Sequence, residues 1–123
     1  MTQVIADNQQ AGIEPAIWKV EGLETTQAAR AVVAQARTGG RDNVDAIVLG
    51  RDAPADRLYR WLDLAAPVDG FVGFAIGRSI WEDVIRAHLA GTLDDTNAIQ
   101  EIARRYLDFA GRWAAAAKDA RQE

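Results

Sequence analysis

Apolar residues alternate between two spacings along this chain. The stretch Ala16-Ile17-Trp18-Lys19-Val20-Glu21-Gly22 reads as a short buried strand, with Ile17, Lys19 and Glu21 on one face and Trp18 and Val20 on the other. Before it, Thr2 to Ala11 reads as the end of a helix closed by Gly12, and Glu14-Pro15 leads into the strand. Leu23 to Thr25 is a turn, with Glu24 or Thr25 near an N-cap. The helix Thr26 to Arg37 follows, with Ala29, Val32, Val33 and Ala36 at helical spacing and Thr38-Gly39-Gly40 as its stop. Val44 to Leu49 is a nearly continuous apolar run, the mark of a strand covered on both faces. Beyond the loop Gly50-Arg51-Asp52-Ala53-Pro54, a helix from Pro54 to Ala65 buries Leu58, Trp61, Leu62 and Ala65. A third strand, Gly70 to Ile76, runs through Gly77-Arg78-Ser79 into a helix from Ile80 to Ala90. Asp94 or Asp95 caps a last helix, Thr96 to Lys118, whose stripe is Ile99, Ile102, Ala103, Tyr106, Phe109, Ala110 and Trp113; the tail Asp119 to Glu123 is expected to fray.

The order is thus one helix, three consecutive βα units and an extra C-terminal helix. Alternating strands and helices imply an α/β fold with a parallel sheet and right-handed crossovers. The period of roughly 26 to 30 residues is close to the repeat of a (β/α)8 barrel. Residues 1–123 form a single domain with no internal boundary, like the last part of such a barrel. Three strands cannot close a barrel, however, and leave two open edges and one uncovered face. A small open sandwich, a barrel section completed by other chains and a fragment of a longer protein all fit that pattern.

Composition narrows the class. The 123 residues are 49% hydrophobic with four tryptophans, enough for a core, and the net charge of −4 argues against nucleic acid or an acidic membrane as partner. There is no cysteine, so disulfides and thiolate chemistry are absent, and the single histidine, His88, argues against a Ser-His-Asp relay. The N-terminus has neither the basic region nor the apolar core of a signal peptide, and no apolar run is long enough to span a bilayer. A cytoplasmic protein without metal or cofactor is expected.

Lys19 changes the picture. The chain has two lysines, Lys19 and Lys118, against twelve arginines, and one of them falls inside an apolar strand. A lysine there is costly unless paired or used. It reads as a snorkelling lysine paired near Glu21, or as a Schiff-base amine whose desolvation keeps it partly neutral for attack on a carbonyl. The stretch alone carries both readings. At the third strand, Gly70, Gly73 and Gly77 recur where glycine normally weakens pairing. The junction Gly77-Arg78-Ser79 offers helix-start N–H groups, a guanidinium and a hydroxyl to a phosphate, or is a turn with a surface charge. Gly50-Arg51 ends the second strand the same way, and Asp52 has Arg51 or Arg78 as its partner. His88 reads as a surface or partly packed residue, Trp81 and Trp113 as core. Glu101, Arg104, Arg105, Asp108 and Arg112 read as a solvated helix face.

Taken in order, Glu14-Pro15 with Trp18-Lys19-Val20-Glu21, then Ile47 through Pro54, then Gly70 through Trp81, the chain resembles the C-terminal part of class I (β/α)8 aldolases of the tagatose-bisphosphate type. It is most similar to the domain found with the inositol-catabolism kinase and linked to 2-deoxy-5-keto-gluconate 6-phosphate cleavage. The resemblance covers roughly residues 2 to 117. It implies reversible aldol cleavage of a phosphorylated keto-sugar. Lys19, on the sixth barrel strand, matches the Schiff-base lysine, and Gly77, Arg78 and Ser79, after the eighth, match the phosphate grip. Glu21 is assigned separately as a proton shuttle or lysine partner, and Gly50 and Arg51 join the phosphate set. The family's first five strands have no counterpart in this chain, nor do the carboxylates they would bring as general acid or base.

The leading expectation is therefore an aldolase-like carbon–carbon lyase segment acting on a phosphorylated sugar or keto-acid, completed by self-assembly or by the missing barrel half. The alternatives are a non-catalytic oligomerising or partner-binding module derived from that fold, and a phosphate-metabolite binder without chemistry.

Overall fold

The computed structural model describes residues 1–119. Helix α1 (Thr2–Gln10) is followed by β1 (Ile17–Val20), α2 (Thr26–Ala36), β2 (Asp45–Leu49), α3 (Ala55–Ala65), β3 (Phe71–Ala75), α4 (Arg78–Leu89) and α5 (Asp95–Asp119). The expected mixed α/β order is present: a helix, three βα units and an extra C-terminal helix. Of the tail expected to fray, Asp119 closes α5 and residues 120–123 lie outside the described residues.

Local chemistry sets the element ends. The Thr25 hydroxyl accepts the Ala28 N–H at 3.0 Å and caps α2, and the Asp94 carboxylate accepts the Asn97 N–H at 2.8 Å and caps α5. Pro54 stands in extended conformation as the N-cap of α3, one position before its first helical residue. Gly77 is the N-cap of α4, so Arg78 and Ser79 are the first two helical residues and not part of a preceding loop.

The three strands are parallel and lie in the order β1-β2-β3. Successive right-handed crossovers in one direction place the connecting helices on one face of the sheet. Burial agrees: Val20, Ala46, Val48 and Phe71 point into one core with Val32 and Val33 of α2, Leu58 and Leu62 of α3, and Phe109 of α5. Helix α1 joins through Ile5, and its Gln9 amide donates to the Gln35 and Ala36 carbonyls at the end of α2, at 3.2 and 3.0 Å. At the N-terminal end of the sheet, Arg37 donates to the Val44 carbonyl, to Asp45 and to Asp69, each at 3.0 Å, tying α2 to the entries of β2 and β3.

Among the described residues the opposite face carries no helix, which corrects two expectations. The first strand is not a buried one: Lys19 is exposed and Ile17 is 49% exposed. The apolar run of β2 is covered on one side only, with Ala46 and Val48 buried but Ile47 and Leu49 half-buried. Register puts Lys19, Ile47 and Gly73 in one row across the uncovered face. Between Phe71, opposite Ala46, and Gly73, opposite Ile47, Val72 is an extra residue and is 56% exposed.

The helices α4 and α5 also depart from expectation. Trp81, expected in the core, lies exposed on α4 in line with Ile85 and Leu89. Trp113 is half-buried against Phe74, which Tyr106 and Phe109 also approach. The charges of α5 are more than a solvated face. Arg105 holds Asp83 of α4 at 2.6 and 3.0 Å and reaches the Ile80 carbonyl, while Arg112 holds Asp63 of α3 and lies over the Tyr59 ring. Arg104, then Arg105, pull the Glu101 carboxyl from its ordinary 4.5 down to about 2, and Arg105 holds Asp83 below its ordinary value.

Depressed carboxyls contribute stability above their ordinary range, and that stability fades as pH falls toward the depressed value. The melting temperature is therefore expected to drop by a few degrees between about pH 4.5 and 2 as this seam protonates. Arg105→Met should flatten that part of the pH–melting curve, as read by circular dichroism.

Candidate functional site

Parallel strands bring their C-terminal ends to one rim, and the sequence-predicted residues gather there or just below it. Lys19 stands on the uncovered face, in the row Lys19–Ile47–Gly73. Glu21, two residues on, is at the rim. Gly50 and Arg51 follow β2, and Gly77, Arg78 and Ser79 follow β3.

Gly50 through Ala53 forms a tight turn closed by the Ala53 N–H on the Gly50 carbonyl at 3.1 Å. Arg51 and Asp52, at φ 41° and 57°, are both left-handed, as in a type I′ turn. The turn sends two side chains in opposite directions. Arg51 meets Glu21 of the β1 end at 2.5 Å, and Asp52 meets Arg78 of α4 at 2.7 Å. Three consecutive strand ends are thus linked by two ion pairs. The Glu21 carboxylate raises the proton affinity of Arg51 further.

The proposed lysine–glutamate pair does not form. Glu21 engages Arg51, and among the described residues Lys19 takes part in no ion pair. The exposed amine is also not desolvated by this chain alone.

The phosphate set is brought together in part. Gly50 is buried, packed between the Ile76 and Leu58 side chains. Arg78 and Ser79 line an open cleft of about 330 Å³ with Asp52, Glu82, Asp83 and Arg86. Two guanidiniums face three carboxylates there, so a phosphate reaching Arg78 would compete with Asp52 for its guanidinium. His88 is half-buried, with Nδ1 3.0 Å from the Leu93 carbonyl and Nε2 3.4 Å from Asp95, away from this rim. Among the described residues no cluster of three His, Asp or Glu side chains is placed to hold a metal, and no helix is long and apolar enough to cross a membrane.

Sequence reasoning missed the Arg51–Glu21 pair and the carboxylates of α4 that line the cleft. The pair had a signal: in a parallel sheet the residues just past neighbouring strands meet at one rim, and one was acidic, the other basic. Glu82 and Asp83 had none apart from their position in the first turns of α4.

Among the described residues, fold and site define a one-sided parallel α/β protein with an uncovered sheet face, an unpaired amine on it and an ion-paired rim. The chain belongs to the family described as "Uncharacterized protein conserved in bacteria (DUF2090)", whose model matches residues 1–117. No curated protein and no solved structure matches it.

Proposed function

We propose that this chain is the amine-bearing section of a class I aldolase-type (β/α) barrel acting on a phosphorylated keto-sugar. The observation that carries the reading is Lys19, which has no counter-ion among the described residues and stands on the helix-free face, one step below a rim bearing Arg51 and Arg78. In barrels the face without helices lines the interior, and chemistry sits at the C-terminal ends of the strands.

The neutral Lys19 amine attacks the ketone carbon, and loss of water gives a protonated imine. A base removes the proton of the β-hydroxyl, the carbon–carbon bond breaks, and its electron pair flows into the imine to leave an enamine. Protonation and hydrolysis release the second product and free Lys19. The described residues supply the amine and the phosphate-facing groups. The base comes from whatever covers the open face, a second copy or a five-strand barrel half. Arg78 and the first N–H groups of α4 receive the phosphate, with Asp52 displaced, and Ser79 adds its hydroxyl. This chemistry belongs to the cytoplasm, where phosphorylated sugars are made.

Borohydride reduction in the presence of a keto-phosphate tests it. A stable adduct is expected on Lys19, lost in Lys19→Ala and weakened when the sugar lacks phosphate. Trapping that survives Lys19→Ala removes the assignment. A second reading, a non-catalytic oligomerising or phosphate-binding module, is favoured by the carboxylates already on Arg51 and Arg78 and by the apolar open face. Phosphate binding without any adduct would select it.

A further inference from the structure

We propose that Arg51 is a positioning residue that keeps Glu21 off Lys19, so that the amine stays available for reaction. The inference rests on the reading above that Lys19 is the working amine.

Glu21 directly follows β1 and stands two residues after Lys19, so the period-two spacing of extended chain brings the two side chains to one side as near neighbours. Left alone, the carboxylate is the obvious partner of the ammonium, and a paired ammonium is a poor nucleophile. Glu21 is instead taken by Arg51 at 2.5 Å and is only 27% exposed. The same arrangement recurs at the other end of the face. Asp45, opposite Ile17 in the register, is held by Arg37 at 3.0 Å. These two carboxylates are the acidic groups that the strands bring to the uncovered face. The row through Ile47 and Gly73, and the row of Leu49 and Ala75 above it, add no charge. Each of these carboxylates is therefore held by a guanidinium, and among the described residues Lys19 is left without a carboxylate partner.

The turn that delivers Arg51 comes at a conformational cost. Two successive non-glycine residues adopt positive φ, a region that L side chains rarely occupy. Without that turn the side chain after β2 would not fold back over the end of β1.

The presence of only two lysines makes the test clean, because Lys118 on α5 serves as an internal reference. The full chain is treated with formaldehyde and cyanoborohydride at pH 8, and methylation of each lysine is followed by peptide mass spectrometry. In Arg51→Gln, the freed Glu21 should slow labelling of Lys19 relative to Lys118 by about threefold. Glu21→Gln added to that variant should restore the wild-type ratio, and Arg51→Lys should keep it. An unchanged ratio in Arg51→Gln overturns the proposal. So does a loss that Glu21→Gln does not restore, since that would mark a structural effect. No sugar takes part, so a failed keto-phosphate trapping would remove the aldolase reading while leaving this result intact, and the reverse also holds.

Discussion

Gly70→Ala is expected to cost the chain about 2–5 kcal/mol, a large share of an ordinary domain's stability. Gly70 sits at the entry to β3 with φ +91°, in the region where a side chain is strained by about 1–2 kcal/mol. A Cβ there would stand 2.5 Å from the Val33 side chain and 3.2 Å from the Arg37 guanidinium. Val33 belongs to the buried face of α2, and Arg37 is fixed by its contacts to Val44, Asp45 and Asp69, so neither can yield freely. Overpacking of that kind adds about 1–3 kcal/mol. The Gly70 carbonyl also accepts the Ala46 N–H at 2.8 Å, so a shift of this residue disturbs the β2–β3 pairing. Urea denaturation of the purified chain measures the loss. Gly73→Ala is the control, because a Cβ there meets nothing within 4 Å. Equal midpoints for the two variants would show that the close approach at Gly70 does not constrain the fold.

The glycine that matters most was visible in the sequence only as one of three along a strand. Spacing separated helices from strands correctly because each helix has one buried stripe, such as Ala29, Val32, Val33 and Ala36 in α2. It missed ends where a residue adopts a capping conformation, as at Pro54 and Gly77. Alternation along β1 assigned its faces correctly and its burial wrongly. The pattern says which residues share a face, whereas cover depends on what else packs there. The site was legible in the same way. Strand ends announced which residues share the rim, but Arg51 with Glu21 and Asp52 with Arg78 depend on two left-handed residues that no periodicity encodes. The long arginines of α5 were invisible as tertiary links for a related reason: both have an acidic residue four positions before them in the sequence, and only the reach of Arg105 to α4 and of Arg112 to α3 distinguishes them.

Val72→Asp is expected to break the chain's assembly while leaving the single chain folded. The run 46–49 is apolar on both sides, yet helices cover only one. Ile17 and Val72 lie open on the other side, at 49% and 56% exposure, and β1 and β3 each pair with β2 alone. Parallel sheets are ordinarily buried on both faces, and unpaired edges recruit further strands. The uncovered face is thus read as an interface, in keeping with a site completed by other strands. Val72 is the sharpest probe of it because it is the extra residue of the bulge, with no partner across the sheet. In the lone chain an aspartate there is solvated and should shift stability by no more than about 0.5 kcal/mol. In an assembly it would be buried without a counter-ion, at a cost of several kcal/mol. Association should weaken by more than about a hundredfold, which sedimentation velocity reads as a shift from oligomer to monomer at micromolar concentration. On the proposed aldolase reading, carbon–carbon cleavage should fall with it, while borohydride trapping on Lys19, which precedes the base step, should persist. A wild-type chain that sediments as a stable monomer, or an assembly that Val72→Asp leaves intact, would mean that the face is not an interface between copies. The base would then have to come from a different chain.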